Sequence, residues 1–179
     1  MLGLGKSIDR SGFVGAAGPL FFSSVIPVDF FDTITVRSSA SDLTITANQT
    51  VDSSSGWLKV AFDLEQTTTP SFVKSSIIDG IVVGQDYKIS FNIFLSDATN
   101  EGGLAHWPSG PTTTSVALGG VIPTQDITAG QTTLWEQTIT ASANASGNLD
   151  FYLFWNNPSD DRPNADAQFY IKDLKIENA

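Results

Sequence analysis

An all-β sandwich over about residues 33–179, entered through an extended apolar arm of residues 1–32, is the fold this sequence predicts. Three observations carry the prediction. Apolar residues alternate with polar ones in several runs of five to nine residues, the period of a half-buried strand. Thr, Ser, Val, Ile and Phe dominate those runs, and branched and aromatic side chains pack well on a pleated surface. Turn signals punctuate them: Asp52 to Gly56, Asp79-Gly80, Gly84 to Asp86, Ala129-Gly130, Ser146 to Asn148 and Asn156 to Asp160.

Each element follows from its own pattern. TITVRS (33–38) and LTITA (43–47) read as short strands. WLKVAFDL (57–64) places Leu58, Val60, Phe62 and Leu64 on one face. YKISFNIFL (87–95) sets Tyr87, Ile89, Phe91, Ile93 and Leu95 against Lys88, Ser90 and Asn92. SVALGGVI (115–122) is interrupted at Gly119-Gly120, which reads as a bulge or a close backbone approach. In TTLWEQTITA (132–141), Trp135, Gln137 and Ile139 share one face and Leu134, Glu136 and Thr138 the other. NLDFYLFW (148–155) turns Leu149, Phe151, Leu153 and Trp155 inward. In QFYIKDLKIE (168–177) the phase slips between Phe169/Ile171 and Leu174/Ile176, so one extra residue near Lys172-Asp173 is expected as a β-bulge.

Residues 1–32 show neither the period of 2 of a strand nor the 3.6 of a helix for long. Leu20, Phe21, Phe22, Val25, Ile26, Val28, Phe30 and Phe31 crowd into twelve positions, more apolar surface than a free tail leaves in water. The segment therefore either packs on its own domain or is covered by a partner. We expect an arm in which Leu2, Leu4, Phe13, Leu20, Phe21, Phe22, Val25, Ile26, Phe30 and Phe31 dock onto a partner, so that the remaining domain folds without residues 1–32.

Composition removes several function classes. A formal net charge of −10 repels phosphate backbones and anionic membrane surfaces, so nucleic acid is not an expected partner. The absence of cysteine removes disulfides and thiolate metal sites. The most apolar stretch, Phe13 to Phe31, is interrupted by Gly15, Gly18, Pro19, Pro27 and Asp29, which suits neither a membrane span nor a signal peptide.

Catalytic parts are not legible. His106, the single histidine, lies in the Gly- and Pro-rich EGGLAHWPSGP with no Gly-x-Ser-x-Gly elbow beside it. Nothing marks a carboxylate pair among the 19 acidic residues, so no enzyme is expected. The loop NNPSDDRPNADAQ (156–168) offers oxygen ligands from Asp160, Asp161 and Asp166, but with Arg162 among them and without EF-hand spacing it reads first as a solvated turn. Trp107, in a loop, and Tyr152 and Phe154, on the strand face opposite Phe151 and Leu153, are candidate sugar platforms. A second packed surface is the competing reading for the latter two. Trp57, Trp135 and Trp155 fit core positions.

The order of these pieces resembles a known superfamily. Gly84 and Tyr87, Trp135, Thr138 to Ala141, Gly147 to Leu153, and Phe169 to Leu174 follow the pattern of the jelly-roll carbohydrate-binding modules, over about residues 40–179. The resemblance implies a jelly roll and a non-catalytic, glycan-contacting role. Family members commonly hold a structural calcium through two Asp on the last strand; here Lys172 stands at the first and only Asp173 is kept. The opening MLGLGKSIDRSGFVG resembles the leaders of tailed-phage virion proteins. Together these imply a non-enzymatic virion component: a decoration, head-fibre or tail-associated protein. It would dock on capsid or tail proteins through its arm, form a homo-oligomer such as a trimer, and hold no cofactor. A free carbohydrate-binding module of a secreted or surface protein is the alternative.

Overall fold

The computed structural model describes residues 18–36, 43–63, 71–96, 112–114, 125–127, 130–141, 148–154 and 167–179. Eleven strands account for the described elements: β1 (Phe21–Ser23), β2 (Thr33–Thr35), β3 (Leu43–Val51), β4 (Ser54–Phe62), β5 (Ser71–Asp79), β6 (Asp86–Leu95), β7 (Thr112–Thr114), β8 (Gln125–Ile127), β9 (Thr132–Thr140), β10 (Asn148–Phe154) and β11 (Gln168–Asn178). They form a large sheet of order β3-β4-β11-β6-β9, with β1 also paired to β11, a small sheet of order β10-β5-β2, and the β7-β8 ribbon. Every recorded pairing is antiparallel. This is the all-β jelly-roll sandwich predicted.

The core lies between the two sheets and is built mainly from Phe and Ile. β6 buries every second residue from Tyr87 to Leu95, as its alternation predicts. Phe91 stacks on Trp135 at 5.0 Å and meets Phe151 of the small sheet edge-on at 5.3 Å. Phe72 meets Phe169 at 5.1 Å. Each fully buried ring or branched chain stabilises the fold by about 1.5–3 kcal/mol.

The predicted bulge in β11 is present. Lys172 pairs with Asn92 and Lys175 with Ser90, so one extra residue sits on β11, with Asp173 at φ 55°. The shift returns Leu174 and Ile176 to the core beside Phe169 and Ile171. The Gly-x-x-Tyr turn also has a physical basis: Gly84 adopts φ 83°, and the buried Tyr87 hydroxyl accepts the Val82 N–H at 2.9 Å.

The N-terminal segment departs from the expectation. Ile26, Phe30 and Phe31 belong to the sandwich core, with Phe31 tilted against Phe72 at 5.4 Å. Phe21 packs on that core from β1. The segment crosses from the edge of β11 to the edge of β5, where β2 pairs, and so closes one side of the sandwich. Asp32 fastens the crossing: its carboxylate accepts the Lys74 ammonium and the Ser75 N–H, both at 2.8 Å. Ile26, Phe30 and Phe31 are therefore not docking side chains of a free arm, and a boundary at residue 32 cuts through the core. Leu20, Phe22, Val25 and Val28 do remain exposed. Leu2, Leu4 and Phe13 lie outside the described residues.

β5 was not legible as a strand. Leu149 pairs with Ile78 but Phe151 with Lys74, so two extra residues bulge out of β5 and erase its period. The Ser75 and Ser76 N–H groups that the bulge frees are taken by Asp32 and by Asp150, the latter at 2.7 Å. The predicted strand at 115–122 lies outside the described residues, as do Leu64 and Trp155.

Candidate functional site

The outer face of the large sheet carries the candidate site. Directly paired residues on antiparallel strands share a face. Thr46 pairs with Lys59, Lys59 with Tyr170, Tyr170 with Phe94 and Phe94 with Thr132. One row thus crosses all five strands. Four strand spacings make it about 19 Å long, enough to run beneath several sugar rings.

Its centre is aromatic. Phe94 and Tyr170, both half-buried, meet edge to face with centroids 5.7 Å apart. The Tyr170 hydroxyl donates to Gln168 Oε1 at 2.7 Å, which fixes the ring. Burial raises the Tyr170 phenol above its ordinary value, so it stays protonated and available as a hydrogen-bonding group. An aromatic ring presents a flat apolar face to a pyranose while amides, hydroxyls and an ammonium around it meet the sugar hydroxyls. The row supplies them in Thr46, Lys59 and Thr132, and Gln168 stands beside it on β11.

One side of this row is closed by the β3-β4 hairpin. Its two turn residues, Asp52 and Ser53, both have positive φ (48° and 64°), the twist that suits a two-residue hairpin. Residues before and after the turn are bulged, at Asn48 (φ 56°) and Gly56 (φ 87°). The tip reaches as far as β9, where the Thr132 hydroxyl donates to Asp52 at 2.6 Å. Trp57 is buried, but on the face of β4 opposite Leu58, Val60 and Phe62, and outside the inter-sheet core. Its indole N–H donates to Ser54 Oγ at 2.9 Å, and the Lys172 ammonium lies 4.8 Å from its ring centre. Trp57 is buried, as expected, but beneath the hairpin rather than between the sheets; it is the pillar of the hairpin and is too enclosed to receive a sugar.

Lys172 also donates to Ser54 Oγ at 3.0 Å, and Asn92 Nδ2 donates to Asp173 Oδ2 at 2.9 Å. The surroundings of Asp173 do not fit calcium, since the Lys172 ammonium stands 3.7 Å from its Oδ2. Among the described residues no group of three or more His, Cys, Asp or Glu gathers as metal ligands, and no helix is long and apolar enough to cross a membrane. Asp160, Asp161 and Asp166 lie outside the described residues.

Of the sugar platforms expected from sequence, Trp107 lies outside the described residues. The backbones of Tyr152 and Phe154 pair with Val73 and Ser71 in the small sheet, away from the row. Sequence reasoning missed Phe94 and Tyr170, although a signal was there: each is an aromatic residue at the solvent phase of an alternating strand.

A second surface feature lies at the N-terminal crossing. A groove of about 430 Å³ is lined by Phe21, Phe22, Pro27, Phe30 and Lys74 among others. Phe22, 58% exposed, stands at its rim, with Leu20, Val25 and Val28 exposed along the same segment.

No protein-family model matches the chain, and no curated protein matches it. Solved structures do. The chain is similar to the N-terminal CBM22-1–GH10 modules of Clostridium thermocellum endo-1,4-beta-D-xylanase 10B in complex with xylohexaose. The TM-score is 0.53 at 16% identity, covering 90% of this chain and 28% of that one. It is similar to a xylan-binding domain of carbohydrate-binding-module family 22, with a TM-score of 0.52 at 14% identity, covering 92% and 97%. It is also similar to the enzymatically active domain of tailspike protein 4 of bacteriophage CBA120, with a TM-score of 0.50 at 10% identity, covering 88% and 21%. The chain thus spans less than a third of the xylanase and tailspike chains. At these identities the likeness shows a shared sandwich fold.

Proposed function

We propose that this chain is a non-catalytic saccharide-binding jelly roll whose ligand lies across the outer face of the large sheet, over Phe94 and Tyr170. The observation that carries the reading is the row from Thr46 to Thr132, an aromatic pair flanked on both sides by hydrogen-bonding side chains on one rigid sheet. The xylan-binding domain that shares the fold supports the same ligand class. Titrating the full chain with a panel of soluble polysaccharides, before and after Tyr170→Ala, tests it. Binding that falls at least tenfold in the variant, with the fold retained, is expected. Unaltered affinity would remove the face from the account.

The exposed apolar side chains of the N-terminal segment favour a setting for this binding. We propose that the protein is a virion component and that Leu20, Phe22, Val25 and Val28, with the groove beside them, meet a capsid or tail protein. The leader resemblance and the tailspike domain of the same fold support this setting. Phe22→Ser with Val28→Ser is expected to leave the domain folded and to abolish its incorporation into particles. Full incorporation would favour the free-module alternative.

A further inference from the structure

Four lysines gather on the outer face, together with Glu136, Asp173 and Glu177 of the same face and Asp52 at the hairpin tip. The chain carries 9 basic and 19 acidic residues, yet Lys59, Lys88, Lys172 and Lys175 all stand on the outward phase of β4, β6 and β11. Three of the four have partners there. Lys88 pairs with Glu136 at 3.1 Å, Lys175 with Glu177 at 2.6 Å, and Lys172 is held by Asp173, Ser54 and the Trp57 ring. Lys59 has no ion pair or side-chain hydrogen bond among the described residues. It is half-buried, directly opposite Tyr170 on one side and Thr46 on the other. The described acidic residue nearest to it in sequence is Asp63, four positions away and just past the end of β4, which accepts the Thr44 hydroxyl at 3.3 Å.

Lys59 thus holds its stem against the sheet and carries an ammonium with no counter-charge among the described residues. Such a cation beside an aromatic platform fits a ligand that brings both a ring face and an anionic group. Resting on the saccharide reading above, we propose that the site selects carboxylate-bearing sugars, with a uronic acid ring on the Phe94–Tyr170 pair and its carboxylate accepting from Lys59. The strong negative charge elsewhere on the molecule would oppose such a polymer, so the cation marks where along the chain of sugars the acidic ring is tolerated.

The test uses the full chain and a panel of acidic polysaccharides, including a glucuronoxylan and a polygalacturonate, each measured intact and after reduction of its carboxyl groups. The expected result is tighter binding of an intact polymer than of its reduced form by about tenfold, a difference that shrinks as salt rises. Lys59→Gln is expected to erase most of that difference and Lys59→Arg to keep it. Equal affinity for intact and reduced polymers, or a Lys59→Gln loss of the same size for both, would overturn the inference. Tyr170→Ala separates the two levels. If it abolishes binding of the reduced polymers while Lys59 variants show no preference, the saccharide site stands and the acidic selectivity falls. If no polymer binds in either form, both fall.

Discussion

Replacing Phe31 by Ala removes a ring that is 8% exposed and wedged between the two Phe residues that line the small sheet's inner face. Its centroid lies 5.4 Å from that of Phe72 and 6.5 Å from that of Phe151, and Phe30 meets it edge-on at 5.2 Å. A cavity of that kind, with neighbours fixed in two paired sheets, costs about 3–5 kcal/mol. For a chain of this length that is a fall in melting temperature of about 6–20 °C. Phe22, nine residues earlier and 58% exposed, serves as the internal control; its truncation should stay within about 0.5 kcal/mol of wild type. Urea unfolding of the two variants, compared at constant slope, reads both values. If Phe31→Ala were as mild as Phe22→Ala, the N-terminal crossing would not be part of the sandwich, and the independent arm would be restored. The same reasoning predicts that deleting residues 1–32 unfolds the domain.

Three further outcomes follow from local geometry. The Lys74 ammonium and the Ser75 N–H lower the Asp32 pKa below its ordinary 3.8, so the folded chain holds that proton less tightly than the unfolded one. The stabilisation is complete above that value and disappears as pH falls through the lowered folded value. Asp32→Asn should therefore destabilise at neutral pH, with the difference from wild type closing in strong acid when melting is followed against pH. Asp173 holds the β11 bulge at φ 55°, so Asp173→Val should cost about 1–3 kcal/mol and Asp173→Gly much less, read by thermal melts. The Tyr170 phenol is pushed up by burial, so the tyrosinate absorbance that distinguishes wild type from Tyr170→Phe should develop only above pH 10.

The sandwich was readable wherever a strand keeps one phase against one sheet. β6 alternates without a fault, and the single-residue slip in β11 left two recoverable halves, Phe169/Ile171 and Leu174/Ile176. β5 was hidden because two extra residues at its bulge break the period, and the carboxylates that complete it come from Asp32 and Asp150, far along the chain. The N-terminal segment reads as an arm in sequence because its side chains divide between core and solvent without a period: Ile26, Phe30 and Phe31 go inward, and Leu20, Phe22, Val25 and Val28 outward. The site was the least legible part. Its row is assembled from five strands spread from Thr46 to Tyr170, and only sheet order makes those residues neighbours. Trp57 reads as core by its size, although it is out of phase with Leu58, Val60 and Phe62; it is buried from that opposite side by the hairpin that folds over the outer face.

The most direct measurement is an amide chemical-shift titration of the full chain with a bound oligosaccharide. The account predicts that the largest shifts fall on Thr46, Lys59, Phe94, Thr132 and Tyr170, with β2, β5 and β10 unmoved. Shifts concentrated on β5 and β10, with the row silent, would contradict it.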